Sequence, residues 1–517
     1  MANTQLFQSL MGALIPRATA RNEEGAPAYT RTPRQALAQM AATGCLNSTF
    51  YATAEDQLEG VLGLAEAAAP EFVAKTAVYC RERGLMKDMP ALLLAVLSRR
   101  DPRLMDRVFD RVVDSPRMVR TFVQIVRSGM TGRKSLGSAP KRCVRRWLDQ
   151  RTGAALFAAS VGASPSIADI VRLVRPKPAT REREALYGYL IGRAVAHELL
   201  PEVVRQFEAY KTGDRATVPE VPFQMLTALD LDRRGWTEIA RRGSWQMTRM
   251  NLNTFARHGV FQDPDVTALV AARMRDASEI ARSRVLPYQL LAAARSAGPN
   301  VPASVRAAVE DAMELAISNV PAIDGQIYIC PDVSGSMQSP VTGYRKGATT
   351  TVRCVDVAAL VAAAFLRQNP GAVVLPFSDS VVSHRLSPRD SVMTNAAHLG
   401  SIVGGGTCVS APLAGLNRGH ARGDLMVIVS DNQSWVDGSG GRGTATMREW
   451  NRFRERSPQA RLVLLDLQPH TTTQVVDRED VLNIGGFSDQ VFRVIADFSA
   501  GRLHADHWVR AIEAEQI

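Results

Sequence analysis

Two short apolar runs, Gln326-Ile-Tyr-Ile-Cys330 and Leu425-Met-Val-Ile-Val429, limit most sharply what this chain can fold into. They are rich in β-branched residues and almost without polar alternation, so each reads as a short buried strand. Oxygen-bearing side chains follow both runs. Asp332, Ser334 and Ser336 come after the first, in Pro-Asp-Val-Ser-Gly-Ser-Met, and Ser430 and Asp431 come after the second. Thr407 follows three glycines, Gly404 to Gly406. Hard oxygen ligands just past strand ends converge on one edge of a parallel sheet, where open α/β folds bind ligands. The three hydroxyls of Ser334, Ser336 and Thr407 with the carboxylates of Asp332 and Asp431 suit Mg²⁺ or a similar cation such as Mn²⁺. Such an ion keeps waters, or takes an outside carboxylate or phosphate, to complete its octahedron.

The surrounding pattern supports a doubly wound sheet over 319–517. Strands at 326–330, 372–377, 425–429 and 462–467 alternate with helices at 354–367, 410–416 and 444–456, and terminal helices follow Ser488 and Ser499. A Gly/Thr-rich insert, 338–351, lies between the first oxygen-rich loop and its helix and forms a rim of the site. Before a boundary at 319–324, residues 32–318 read as helix after helix with short polar turns, preceded by an arm over 1–31. Apolar residues recur at helical spacing, as in Ile167, Ile170, Val171 and Val174. So many short helices are expected to stack as an α-helical repeat, a solenoid. The fold class is therefore a helical repeat domain plus an α/β doubly wound domain.

Charge divides the chain in the same place. Residues 319–517 hold 18 Lys and Arg against 19 Asp and Glu, so the whole-chain totals of 62 and 51 leave 44 and 32 for residues 1–318. The positive excess lies entirely in the helical part. Within it, residues 117–151 carry ten basic side chains against one acid, Asp149. A concentrated stripe of this kind points to a polyanionic partner. Arg142, Arg145 and Arg146 share one face of a helix, with Lys141 beside it and Arg133 and Lys134 in the loop before. Arg172, Arg175 and Lys177 form a second candidate contact. A solvated helix face would show the same charges. Trp147, within the stripe, suits a core anchor better than a base-stacking platform.

Asp-x-Ser-x-Ser with a distant Thr and Asp resembles the metal-ion-dependent adhesion site of von Willebrand factor A domains. Alone, the motif would also suit a strand-to-helix cap. A basic helical region joined to such a domain resembles the Ro ribonucleoprotein autoantigen family, whose N-terminal part is the TROVE module. Local stretches carry the resemblance: Gly44-Cys-Leu-Asn-Ser-Thr-Phe-Tyr51, the basic segment 127–147, Ile170-Val-Arg-Leu-Val-Arg-Pro-Lys-Pro178 and Leu286-Pro-Tyr-Gln-Leu290. The metal motif itself, with Gly-Gly-Thr and Ser-Asp-Asn, matches closely. Ile167 and Leu286 stand where the family often has histidine, so a histidine contact to RNA is not carried over.

The resemblance implies a ring of HEAT-like helical repeats closed by the metal-binding domain. It implies binding of small noncoding Y-like RNA on the basic outer face, and of single-stranded 3′ ends of misfolded RNA through the hole. It also implies a link to an exoribonuclease such as polynucleotide phosphorylase, with no enzyme chemistry in this chain. Because the positive charge lies in the other domain, the metal is expected to serve an acidic protein ligand whose carboxylate completes the octahedron.

Other classes fit less well. A metal-dependent subunit of an ATPase or chelatase-type complex would share the site, but no Gly-x-x-x-x-Gly-Lys-[Ser/Thr] loop is present. An adhesion protein would need a signal segment and a disulfide arrangement. The six cysteines are scattered and read as reduced thiols of a cytoplasmic protein, and the longest apolar stretch, 357–366, is too short for a membrane span. A Mg²⁺-dependent hydrolase would need a second metal or a general base beside the first.

Overall fold

A computed structural model describes residues 16–43, 46, 52–214, 217–283, 285, 287–317, 320–341, 343–344, 352–402, 404–434, 436, 443–486, 490–503 and 507–517. Most of the 44–51 segment, Leu286, the boundary residues 318–319 and most of the insert 338–351 lie outside them. The described chain divides into two compact units, Met1–Leu64 with Ala271–Ala511, and Ala65–Val270 with Ile512–Ile517. These units cut across the expected boundary. Residues 32–64 and 271–318 group with the sheet, and the final six residues group with the helices.

In the sheet unit, five parallel strands run in the order β4-β3-β5-β6-β8. They are β3 (Ile327–Pro331), β4 (Val373–Val374), β5 (Leu425–Ser430), β6 (Arg461–Asp466) and β8 (Val481–Gly485). The chain leaves β3 for β4 on one side and then crosses to β5 on the other. The carboxyl ends of β3 and β5 therefore flank the topological switch point, where neighbouring connections part and leave a crevice. Ile327 to Pro331 pair in register with Leu425 to Val429, so Asp332 and Asp431 leave the sheet one or two residues past paired positions. The strand expected over 372–377 is only two residues long. Backbone pairing resumes at Leu375 and Phe377, whose amides reach Ile329 and Pro331. Pro376, between them, has no N–H to donate.

Helix Cys354–Gln368 is buried along Cys354–Leu366, which accounts for its unbroken apolar run. It packs against helices Val392–Gly400 and Pro287–Ser296. Among the described residues no helix is long and apolar enough to cross a membrane. The described cysteines form no disulfide with one another.

A second, smaller sheet joins residues far apart in sequence. β1 (Ala20–Arg21) pairs antiparallel with β2 (Pro27–Thr30), and β2 pairs with β7 (Thr472–Thr473). The expected free arm is thus a hairpin fixed to the sheet unit. Tyr29 is buried in the same core as Tyr328, Phe377, Trp450 and Phe453.

The helical unit is segmented by its caps. Asp101, Ser115, Thr152, Ser166, Thr180, Asp232 and Ser244 each accept a backbone N–H of the helix that follows. Helices Trp245–Met250 and Leu252–Arg257 part at Asn251, whose side-chain amide donates to the Met247 carbonyl at 2.8 Å. Packing is between near neighbours in sequence. Pro70–Glu82 packs on Asp88–Arg100 and Pro102–Val112, and Pro102–Val112 packs on Ser138–Asp149. Nearest-neighbour packing of this kind is how helical stacks bury their apolar faces. Trp147 is a core residue here, 1% exposed, with the Arg151 guanidinium 4.6 Å from its ring centre.

Candidate metal centre and basic surface

Asp332, Ser334, Ser336, Thr407 and Asp431 are all buried. The Asp332 amide donates to Val429 at the end of β5, and the Val333 amide donates to Phe377. This holds the first loop across the switch point. One Asp332 carboxylate oxygen accepts the Ser334 N–H at 2.8 Å, and the other accepts the Ser430 hydroxyl at 2.6 Å. The Ser334 and Ser336 hydroxyls lie 3.3 Å apart. The Gly335 amide reaches the Gly405 carbonyl at 3.1 Å, tying the serine loop to the glycine loop before Thr407. Gly405 has φ of +83°, and a Cβ there would fall 2.7 Å from an Asp379 oxygen, so a side chain is doubly excluded.

Asp431 differs from Asp332 in one respect. Both of its carboxylate oxygens are buried and, among the described residues, neither has a hydrogen-bond partner. Ser336 and the Gln433 amide ease its charge, but neither makes a hydrogen bond of normal geometry. Burial, and then the neighbouring Asp332 charge, push the Asp431 carboxyl well above the usual carboxylate range. Burial likewise raises Asp332, against the pull of Ser334 and Ser430. Two carboxyls and three hydroxyls gathered without a cation carry a charge cost that a divalent ion would cancel. The donor set, all hard oxygen, fits Mg²⁺ or Mn²⁺.

The loop carrying Asp431 is held from outside by groups that the sequence did not single out. The Ser434 hydroxyl accepts the Val409 amide at 3.0 Å and donates to the Thr407 carbonyl at 3.4 Å. The Ser434 carbonyl accepts the Asn22 side-chain amide at 2.7 Å, and the Glu23 amide donates to the Gln433 side chain at 3.1 Å. Asn22 also stabilises its own hairpin turn by accepting the amides of Glu24 and Ala26. Nearby, Arg31 donates to the His470 carbonyl at 2.5 Å and lies 3.4 Å from buried Asp466. Burial raises the Asp466 carboxyl, and Arg31 opposes that rise.

The basic candidates separate into two groups. Arg142, Arg145 and Arg146 do not form a free row. Arg146 donates to Asp106 at 2.6 Å and to Asp110 at 3.1 Å, and Arg142 donates to Asp106 at 3.2 Å. Burial opposes ionisation of Asp106, but hydrogen bonds from Arg146, Cys143 and Arg142 outweigh it and keep that carboxyl below its usual range. Arg145 donates to the Val174 carbonyl at 2.5 Å, near the end of helix Ile167–Val174. Arg172 meets Asp169 at 3.4 Å and the Ile191 carbonyl at 2.7 Å. By contrast, Lys134, Arg175 and Lys177 are exposed, and Arg133 and Lys141 are partly so. Among the described residues none of these five is in an ion pair. The acids that engage the stripe, Asp106 and Asp110, lie on the helix before it, outside the stretch in which the sequence shows so few acids.

Residues 326–499 match the Ro60 vWA domain family. The sheet unit contains a Ro60 vWA domain. The Ro60 likeness extends along the chain: the RNA-binding protein RO60 of Deinococcus radiodurans is 24% identical over 522 residues, covering 93% of this chain and 96% of that protein. The crystal structure of the Deinococcus radiodurans RO (RSR) protein superimposes with a TM-score of 0.61 at 20% identity. That match covers 91% of this chain and 100% of the other, and establishes a shared fold. The Asn22 and Arg31 supports escape motif reading because both residues lie outside the matched residues 326–499 and reach the Ro60 vWA domain only in the fold. The Asn-x-x-Gly turn at 22–25 was their only local signal.

Proposed function

We propose that this chain is an RNA-binding protein whose basic helical unit holds structured RNA while its sheet unit binds a divalent cation and, through it, an acidic protein partner. The observation that carries the first half is the full-length likeness to a protein named as RNA-binding, together with a positive excess confined to residues 1–318. Lys134, Lys141, Arg175, Lys177 and Arg133 are the members of the basic set that can meet phosphate without an ion pair already in place among the described residues. RNA is held mainly through backbone charge and shape, with bases recognised where strands are unpaired. Small Y-like RNAs and single-stranded 3′ ends of misfolded RNAs are the substrates that the Ro resemblance favours. An exoribonuclease such as polynucleotide phosphorylase is the partner that would use RNA held in this way.

Asp332, Ser334, Ser336, Thr407 and Asp431 would hold Mg²⁺ or Mn²⁺, and the unpartnered oxygens of Asp431 support that reading most directly. When bound, the ion would offer an open position to an outside carboxylate. Asn22, Gln433 and Ser434 would keep the Asp431 and Thr407 loops in place, with or without a partner.

Binding of a stem-loop RNA with a single-stranded 3′ tail, measured across a salt series, tests the proposal. Each neutralised phosphate steepens log affinity against log salt by roughly 0.7 to 0.9. Affinity that stays flat with salt overturns the electrostatic account.

A further inference from the structure

We propose that the hollow between helices Pro102–Val112 and Ser138–Asp149 is a phosphate pocket for RNA, built by Arg103, Arg107 and Arg142. The inference rests on the RNA-binding reading above and adds Arg103 and Arg107, which lie outside the basic stripe, to Arg142 within it. The hollow has a volume of about 370 Å³ and is lined by Pro102, Arg103, Asp106, Arg107 and Arg142. Arg103 and Arg107 are four positions apart on one helix, so their side chains share a face. Both are exposed. Among the described residues neither is paired with a carboxylate.

Asp106, the acid in the lining, does not neutralise them. It already accepts from Arg146 at 2.6 Å, from Arg142 at 3.2 Å and from the Cys143 thiol at 3.3 Å. Three guanidinium groups thus face the hollow with one carboxylate, and that carboxylate is shared with a fourth arginine. The Asp106 contact also steadies Arg142, so part of the ordering cost of binding is met before a ligand arrives. The helix amides at this end contribute nothing, because Asp101 accepts the N–H groups of Arg103 and Leu104. Anion affinity must therefore come from the side chains. Planar guanidinium forks match the paired oxygens of a phosphate better than ammonium groups do. The phosphate could be an internal phosphodiester or a 5′-terminal phosphate, and the two are separable by experiment.

The full-length chain and its Arg103→Gln/Arg107→Gln variant are compared on two RNAs of one sequence, one 5′-phosphorylated and one with a 5′ hydroxyl. Circular dichroism checks the fold of both proteins. The variant is expected to lose about tenfold in affinity, with the salt slope reduced by roughly 0.7 to 0.9, the signature of one phosphate. An equal loss on both RNAs assigns the pocket to the backbone, whereas a loss confined to the phosphorylated RNA assigns it to the 5′ end. Unchanged affinity and slope on both RNAs overturn the pocket while leaving the RNA-binding reading intact. If the parent binds neither RNA, that reading falls instead, and titration with inorganic phosphate decides the pocket. Saturable binding lost in the variant supports an anion site, and its absence in the parent removes it.

Discussion

The candidate metal centre and the basic surface were equally visible as clusters of charged and polar letters, yet the fold treats them in opposite ways. At the metal centre it brings residues separated by a hundred positions into one buried place and leaves the Asp431 oxygens without partners. At the basic surface it finds partners for much of the charge, with Asp106 and Asp110 engaging Arg142 and Arg146. Uncompensated charge is expensive when buried and nearly free when exposed. A buried carboxylate that the fold leaves unpaired is therefore the more informative signal, while a run of surface arginines says little until its neighbours are known.

The largest effect should come from Asp431→Asn. It should reduce Mg²⁺ or Mn²⁺ affinity by more than about a hundredfold. Above pH about 8, where the Asp431 carboxyl is ionised, the same change should raise the melting temperature of the metal-free protein, because it removes an uncompensated buried charge. Calorimetric titration and thermal melts in chelator check both, and parent-like metal affinity would break the contrast between the two regions.

The pH response should be the next largest. Asp332 and Asp431 have raised carboxyls in the fold, so in metal-free protein their contribution to stability is present below the ordinary carboxylate range and is lost as pH rises through the raised values. Metal binding requires the deprotonated forms and so should strengthen over the same rise. Melting curves with and without Mg²⁺ should therefore separate as pH increases. A constant separation between acidic and mildly alkaline pH would count against the pair as ligands.

Asn22→Ser is expected to weaken metal binding by about tenfold, a typical cost for a group that orients a ligand. Serine can still accept at the hairpin turn, but it is too short to reach the Ser434 carbonyl. The relaxation of bulk water protons by bound Mn²⁺ would report a changed site even if the melting temperature stayed put. Should Asn22→Ser match the parent in both affinity and relaxation, the hairpin is only structural.

The smallest effects belong to the basic surface. Arg146→Gln should cost at most about 1 kcal/mol of stability, since the pair is partly exposed, and should barely change RNA affinity. Lys141→Gln with Lys177→Gln should leave melting unchanged while weakening RNA binding by about threefold and flattening the salt slope. The reverse assignment, with Arg146 controlling RNA and the lysines controlling stability, would show that the division between engaged and free charges is misdrawn.

The strands at 326–330 and 425–429 and the gathering of five buried oxygen-bearing side chains were legible because strand periodicity and motif spacing are local signals. The two-residue length of β4 was not legible: Leu375 and Phe377 continue the bonding to Ile329 and Pro331, and Pro376 between them has its donorless nitrogen on the side away from β3. The hairpin at 20–30 was not, since β7 has no local pattern that names β2 as its partner. The state of Arg142 and Arg146 was hidden for a related reason. Asp106 and Asp110 are remote from them in sequence and adjacent only once helices stack.

Arg31 and His470 are 439 positions apart, yet they share a hydrogen bond inside one folded unit. During synthesis at about 5 to 20 residues per second, the hairpin must wait roughly 20 to 90 s for the strand that it joins. The intervening helices fold by local contacts in the meantime, so completing the sheet unit is a late, high-contact-order step. A fragment cut at residue 319 would lack this piece. It would leave Asp466 without its arginine and β7 with an open edge, inviting association between copies. An excised sheet domain should therefore be rescued by residues 16–31 supplied as a separate peptide.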